Sequence, residues 1–107
     1  MFTRVIECRA KVGMGDETAK RLRLEVLPIL QKQPGFVDLI ALRDGDDQQR
    51  IMCLSFWNTK ESSEHYHREH YDSVVLSLKS VLATKPTLET MQVEISTAHQ
   101  IAASRAA

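Results

Sequence analysis

Apolar and polar residues alternate along the first stretch of the chain, from position 2 to position 12. Alternation with a period of two predicts a strand that buries one face and leaves the other exposed. Gly13 and Gly15 end this predicted strand. Its apolar positions are Val5, Ile6, Cys8, Ala10 and Val12, and the charged positions between them are Glu7, Arg9 and Lys11.

A first helix is predicted after these glycines, because apolar residues recur there at a spacing of three to four. Asp16 is its expected N-cap. Pro28 lies inside the pattern and is expected either to kink the helix or to mark its last turn, and Pro34 and Gly35 complete the stop. The apolar stripe consists of Ala19, Leu22, Val26 and Leu30.

Two later segments, Phe36–Leu42 and Arg50–Trp57, are apolar at nearly every position. The sequence Asp-Gly-Asp-Asp at residues 44–47 provides the turn that joins them into a β-hairpin. Strands that are apolar on both faces must be covered on both faces. The hairpin therefore predicts a sheet with a buried layer on each side.

A second helix is predicted after the hairpin, with Asn58 or Thr59 as its N-cap. Its first turns, at residues 60–67, are almost wholly polar, whereas the part from Tyr71 onward is strongly amphipathic and stops before Pro86. The apolar stripe of this second part consists of Tyr71, Val74, Val75, Leu78, Val81 and Leu82.

A fourth strand is predicted at Thr87–Ser96, where alternation returns. The order β, α, β, β, α, β is that of the α+β ferredoxin-like fold, a split βαβ arrangement with a four-stranded antiparallel sheet and both helices on one face. Because two helices cover one face, we expect a homodimer whose second copy covers the other, and further stacking of dimers stays open. Residues 1–96 form this domain, and residues 97–107 are a tail, either loose or an arm reaching a neighbour.

Composition narrows the partners and the compartment. The chain has 107 residues, 43% of them hydrophobic, which is typical of one globular domain. Its 14 basic and 14 acidic residues are mixed along the sequence, which argues against nucleic acid or an anionic membrane as a partner. The sequence shows no signal-peptide pattern and no run approaching the ~20 apolar residues that cross a bilayer. We expect a cytoplasmic protein in which Cys8 and Cys53 are reduced and buried.

Several short motifs, in this order and spacing over residues 2–96, resemble the antibiotic biosynthesis monooxygenase (ABM) family of dimeric α+β barrels. The motifs are Gly15 closing the first strand, Leu27-Pro28 followed by Pro34-Gly35-Phe36, and Trp57-Asn58-Thr59-Lys60-Glu61 with Tyr66 and His70-Tyr71 downstream.

The resemblance leaves a choice of activities, because the family includes cofactor-independent oxygenases of quinols and polyketide phenols, haem-degrading enzymes and domains with no assigned reaction. The haem-degrading branch has an Asn on the first strand and an iron-ligating His late in the second helical region, where this chain has Cys8 and Leu76. Haem degradation is therefore disfavoured. The oxygenase branch implies a small aromatic ligand and no metal, haem or flavin.

In that branch an electron-rich phenolate or hydroquinone anion passes one electron to oxygen, and the two radicals recombine. The protein has to deprotonate the substrate, hold the anion and exclude water. The resemblance places Tyr66 at the position, nine residues after Trp57, where the family has a His, Trp or Tyr. We assign His70 and Tyr66 to catalysis, with His70 as the base because it matches a position often occupied by His in the family and the intrinsic pKa of histidine is about 6.5.

Trp57, Tyr66 and His67 are assigned to substrate binding. Trp57 is alternatively a core residue, and Tyr66 is alternatively an anchor for a polar helix turn. The three histidines between 65 and 70 invite a metal site, but the HExxH and HxxEH spacings are absent, so no metal is predicted. In an unbroken helix Tyr66 would point about 140° away from Tyr71, and a role in the pocket therefore requires a break at residues 68–70.

Two functional classes follow from these residues. The first is a cofactor-independent monooxygenase that acts on a small quinol or phenolic aromatic compound. The second is a non-catalytic dimeric barrel that binds a small apolar ligand or serves as a stress or assembly module. A pocket that holds Trp57, Tyr66 and a histidine together favours the first class, and a barrel interior filled with side chains favours the second.

Overall fold

Four antiparallel strands form one sheet, and the helices lie on one of its faces. The structure is a computed structural model that describes residues 1–101. The strands are β1 (Phe2–Arg9), β2 (Phe36–Arg43), β3 (Arg50–Trp57) and β4 (Thr87–Gln92), in the spatial order β2-β3-β1-β4. This is the α+β ferredoxin-like architecture, and the prediction of the fold class is confirmed.

The first helical region consists of α1 (Gly15–Arg21), a π-helical segment (Leu22–Val26) and α2 (Leu27–Gln31). Pro28 lies in α2, the last turn, as predicted. The prediction of Asp16 as the N-cap was wrong, because the helix begins one residue earlier, at Gly15. Asp16 lies in the first turn, and its carboxylate accepts a hydrogen bond from Arg43 at 2.8 Å. Gly15 fits there because a Cβ would lie 2.8 Å from the carbonyl oxygen of Gln48.

The second helical region consists of α3 (Lys60–Tyr66), a π-helical segment (His67–Tyr71) and α4 (Asp72–Leu78). Thr59 is the N-cap, and its Oγ1 accepts a hydrogen bond from the backbone N–H of Ser62 at 3.1 Å. The π-helical segment is the break at residues 68–70 that a role of Tyr66 in the pocket requires. Within residues 1–101 the helices are all too short or too polar to cross a bilayer.

Three predicted elements extend too far. The first strand, predicted to reach Val12, ends at Arg9. The second helix ends at Leu78, because the following turn pairs with the end of β1: Lys11 N–H donates to Val81 O at 2.8 Å and Ala83 N–H donates to Arg9 O at 2.7 Å. Strand β4 ends at Gln92, which lies opposite Phe2, the first residue of β1. Beyond that pair only Met1 remains, and its carbonyl oxygen accepts the last hydrogen bond, from the backbone N–H of Val93 at 3.0 Å.

The main core lies between the sheet and the helices. Side chains at even positions of β1 and at odd positions of β3 face the helices, as the pairs Ile6–Cys53 and Cys8–Ile51 show. They pack against the buried stripes of both helical regions, and the prediction of those stripes is confirmed. The buried members from the helical regions are Leu22, Val26, Leu30, Val74 and Leu78, with Val81 and Leu82 from the turn that follows.

The opposite face of the sheet is also apolar, as the hairpin sequence predicts. Val5 and Ile40 both lie opposite Leu54, and the exposed fractions of Ile40 and Leu42 are 41% and 52%. One end of this face is covered by the chain itself, because the ring of His99 packs at 5.5 Å from the ring of Phe56. The predicted tail starts with this segment, and its residues 102–107 lie outside the described part of the chain.

Candidate functional site

Arg4 is the most deeply buried charged side chain of the candidate site, with an exposed fraction of 3%. It lies on β1 at a position that faces the helices, because side chains alternate along a strand and Ile6 and Cys8 point the same way. Among the residues that the structure describes, no carboxylate forms an ion pair with Arg4, and its Nε–H has no hydrogen-bond partner. A buried guanidinium without a counterion is costly and needs an explanation.

The neighbours of Arg4 come from the second helical region. Its Nη2 lies 3.0 Å from Nδ1 of His67, and its Cζ lies 5.4 Å from the ring centre of Tyr66 and 5.1 Å from that of Tyr71. Since arginine has donors and no acceptor, Nδ1 of His67 accepts, and the proton of the neutral imidazole is on Nε2. Burial lowers the pKa of Arg4, but an arginine remains a cation at neutral pH.

The π-helical segment brings Tyr66 and Tyr71 to the same guanidinium. In an α-helix, residues five apart point about 140° away from each other. In the π geometry, hydrogen bonds run from residue i to i+5 and each turn holds an additional residue, so these two side chains fall on one face. Burial raises the pKa of Tyr66 to about 12 and also raises that of Tyr71. Both phenols therefore keep their protons and are available as hydrogen-bond donors.

A cavity of about 50 Å³ lies between the sheet and the helices, next to Arg4. Apolar side chains from both helical regions and from the first three strands form most of its wall. Sites for drug-sized ligands usually enclose about 300–1,000 Å³, so this cavity is narrow, and a bicyclic aromatic ligand requires the flanking side chains to move. The hydrogen-bonding side chains at its wall, apart from the two cysteine thiols, are Arg4, Ser55, Tyr66 and Tyr71.

Trp57 is completely buried and belongs to the core. Its indole N–H donates to Oγ of Ser55 at 3.0 Å, and its ring stacks on Tyr66 with centroids 5.3 Å apart. Phe36 contacts the same indole edge-on at 5.5 Å. Tyr66 lines the cavity and Trp57 lies behind it, so direct contact between Trp57 and a substrate requires Tyr66 to move aside.

The two histidines assigned from the sequence lie in different surroundings. His70 is partly buried, and its ring stacks on the ring of Tyr66 with centroids 6.2 Å apart. His67 is exposed, and its ring stacks on that of Tyr71 at 4.7 Å. The partial burial of the ring and the charge of Arg4 lower the pKa of His67. The structure thus forms two aromatic stacks, Trp57–Tyr66–His70 and Tyr71–His67, that meet at Arg4. His65 is exposed and lies outside both stacks.

Arg4 was not identified from the sequence. The available signal was its position in the alternating pattern of β1, where it shares the inward-facing positions with Ile6 and Cys8. An arginine at such a position is rare unless it is paired. Only the three-dimensional arrangement, however, shows that no carboxylate of the described residues lies beside Arg4.

Groups that can bind a metal or react as nucleophiles are sparse at this site. Within residues 1–101 no three His, Cys, Asp or Glu side chains are arranged to hold a metal ion. Cys8 and Cys53 are free, buried thiols at the cavity wall, and burial raises their pKa values to about 11 and about 12. At neutral pH both are protonated and therefore poor nucleophiles.

Comparisons with known proteins identify a family. Residues 1–75, well over half of the chain, match the model of the family "antibiotic biosynthesis monooxygenase". No curated protein matches the chain in sequence. Among solved structures, SnoaB, a cofactor-independent oxygenase from Streptomyces nogalater, has a TM-score of 0.75 at 14% identity, covering 90% of this chain and 95% of that one.

Two further structures show the same similarity. A protein from Bordetella bronchiseptica, named as a candidate antibiotic biosynthesis monooxygenase, has a TM-score of 0.77 at 11% identity, covering 88% of this chain and 97% of that one. A conserved protein from Methanosarcina mazei has a TM-score of 0.71 at 16% identity, covering 86% and 92%. At such low identity these likenesses establish the shared fold and nothing about the substrate.

Proposed function

The chain belongs to the antibiotic biosynthesis monooxygenase family, and on this basis we propose that it is a cofactor-independent monooxygenase that oxidises a small quinol or phenolic aromatic compound. The observation that carries the proposal is the stack Trp57–Tyr66–His70, with centroid distances of 5.3 Å and 6.2 Å, whose middle residue, Tyr66, lines an apolar cavity. These are the residues at which the sequence resembles the family. The ring of Tyr66 and the apolar wall suit a flat aromatic substrate.

The chemistry needs a base, a dry cavity and a hydrogen-bond donor. His70 is the better base of the two histidines, because Nδ1 of His67 is occupied by Arg4, whereas His70 makes no side-chain hydrogen bond within residues 1–101. Tyr66, whose pKa is about 12, stays protonated and donates to an oxygen of the substrate or of the reduced oxygen species. The apolar wall of the cavity excludes water from the reacting anion.

The proposed reaction uses molecular oxygen as its oxidant. A phenolate formed by proton transfer to His70 gives one electron to oxygen, and the resulting radical and superoxide combine into a peroxide. Protonation and loss of water then yield a quinone, so that one oxygen atom enters the product and the other leaves as water. For 1-naphthol the balanced overall change is naphthol plus oxygen to naphthoquinone plus water.

A non-catalytic module is the second candidate function, and the narrow cavity favours it. Much of the space between sheet and helices is filled by side chains, and about 50 Å³ remain open. A barrel with this interior suits a small apolar ligand or an assembly role. Oxygen consumption separates the two candidates.

The deciding experiment measures oxygen uptake above the autoxidation background with a panel of hydroquinones and naphthols. We expect His70→Ala to lower the rate by about 10²–10⁴, the usual worth of general-base assistance. Tyr66→Phe removes one hydrogen bond, about 0.5–1.5 kcal/mol, and should cost less. His65→Ala is the matched control, because His65 is exposed on the same helical region and lies outside the stacks.

Equal rates in the wild type and in the folded His70 and Tyr66 variants would remove these residues from the mechanism. No rate above background across the whole panel would favour the binding or assembly module.

We also propose that the protein acts as a homodimer, in which the apolar face around Leu54 and Ile40 packs against the same face of a second copy. The family resemblance and the exposure of Ile40 support this arrangement.

A further inference from the structure

Arg4 holds a positive charge inside the fold without any carboxylate among the described residues to neutralise it. We propose that Arg4 is the receptor for a carboxylate carried by a flat apolar ligand whose body enters the cavity. The inference rests on the proposed function for the location of the ligand. It adds the charge of the ligand and the residue that recognises it.

The free hydrogen-bonding capacity of Arg4 supports this role. The guanidinium has five N–H donors, of which one is used by His67 at 3.0 Å, and the buried Nε–H has no partner within residues 1–101. The contacts with the ring faces of Tyr66 and Tyr71 orient the guanidinium but consume none of its N–H groups. Free donors in a fork match the two oxygens of a carboxylate.

The position of Arg4 also defines a route for such a ligand. Arg4 is common to the inner cavity and to an outer groove of about 260 Å³ that opens between α3 and β4. Lys60 and Arg68 line the groove, and its one acidic residue, Glu64, lies 3.8 Å from the ammonium of Lys60. The groove therefore has a positive balance, which attracts anions.

The apolar residues on either side of Arg4 determine the rest of the ligand. Phe2 and Leu88 lie at the groove, and Ile6, Leu39 and Val74 lie at the cavity. A small inorganic anion would leave these surfaces unused. An anion attached to an aromatic or aliphatic body uses both the charge and the apolar wall.

The test compares two probes that differ in charge and hardly in shape, 1-naphthoate and 1-naphthamide. Their affinities for the full chain are measured by calorimetry near neutral pH. We expect naphthoate to bind roughly ten- to a hundredfold more tightly, because a hydrogen bond to a charged group contributes about 1.5–3 kcal/mol. Arg4→Met should remove this preference and leave the affinity for naphthamide nearly unchanged. Arg23→Met is the matched control, because Arg23 is exposed on the first helical region.

Equal affinities of the wild type for both probes would overturn the proposal, and so would an Arg4→Met variant that still prefers naphthoate. Failure of the wild type to bind any aromatic carboxylate, from benzoate to anthracene carboxylate, would overturn it as well. If Arg4→Met does not fold, Arg4→Lys replaces it: the charge is retained and the planar fork is lost, so the preference should fall but persist. Oxygen uptake is not the readout, so a chain that binds naphthoate through Arg4 but consumes no oxygen keeps this inference and loses the proposed function.

Discussion

Replacing Arg4 by methionine tests whether the buried guanidinium serves a ligand or the fold. Methionine keeps a long, flexible side chain in the space next to the cavity and removes the charge. A residue that holds the fold together is expected to destabilise the protein when it is lost. A charge that is buried without a counterion is expected to do the opposite, because its removal relieves a desolvation penalty.

The structure allows the balance to be worked out. Arg4→Met loses a charged hydrogen bond to His67, about 1.5–3 kcal/mol, and the contacts with Tyr66 and Tyr71, about 1–2 kcal/mol together at a partly buried site. It relieves the desolvation penalty of the guanidinium, several kcal/mol, which includes the cost of the unsatisfied Nε–H. We therefore expect the variant to be more stable than the wild type by about 1–3 kcal/mol. For a domain of about this size, 1 kcal/mol corresponds to about 4–8 °C in Tm.

Urea unfolding provides the measurement, followed by the fluorescence of Trp57, the single tryptophan, and by circular dichroism at the same protein concentration. Arg4→Lys is the control. It keeps the charge in the same place without the planar guanidinium, and it should be less stable than the wild type. Any loss of stability in Arg4→Met would refute the reasoning, and a loss of about 3–5 kcal/mol is what breaking a compensated buried pair costs.

Three further predictions concern the fold. In urea unfolding, Gly35→Ala should lower the stability by about 1–3 kcal/mol more than Gly13→Ala. Both glycines have a positive φ (+78° and +76°), but a Cβ at Gly35 would lie 2.6 Å from the Cβ of Ser62, whereas the space at Gly13 is open. Equal losses of stability would contradict this prediction. The two buried cysteine thiols, with pKa values of about 11 and about 12, should resist iodoacetamide at pH about 8 until the protein is denatured, and rapid labelling of the native protein would disagree. Leu54→Asp should turn a dimer into monomers or unfold the chain in sedimentation experiments, and a wild type that is monomeric at micromolar concentration would rule out the dimer.

Local patterns in the sequence predicted the features that depend on neighbouring residues. The alternation in β1, the stripes of both helical regions and the cap at Thr59 follow from periodicity and capping, which act over a few residues. The sequence made the break after Tyr66 a condition of its role in the pocket, because an unbroken α-helix would separate Tyr66 from Tyr71, but it did not establish the break. The element order then left the ferredoxin-like fold as the natural solution.

Features that depend on pairing across the fold were not predictable in this way. Strand β4 ends at Gln92 because its partner β1 begins at Phe2, and the second helix ends at Leu78 because the next turn pairs with Arg9 and Lys11. Both ends are set by a second segment distant in the sequence, and the local pattern continues past them.

For the candidate site, too, some features follow from the sequence and others only from the fold. Residue types and the family resemblance nominated Trp57, Tyr66, His67 and His70 as site residues, and their roles stay predictions. Only the tertiary structure shows that Trp57 reaches the cavity through Tyr66 and that Arg4 meets His67, 63 residues later, without an acid beside it. The sequence determines which side of a strand a charged residue faces. Its partners depend on what the folded chain places opposite it, and the partners decide both the free-energy penalty of burying the charge and its capacity to bind a ligand.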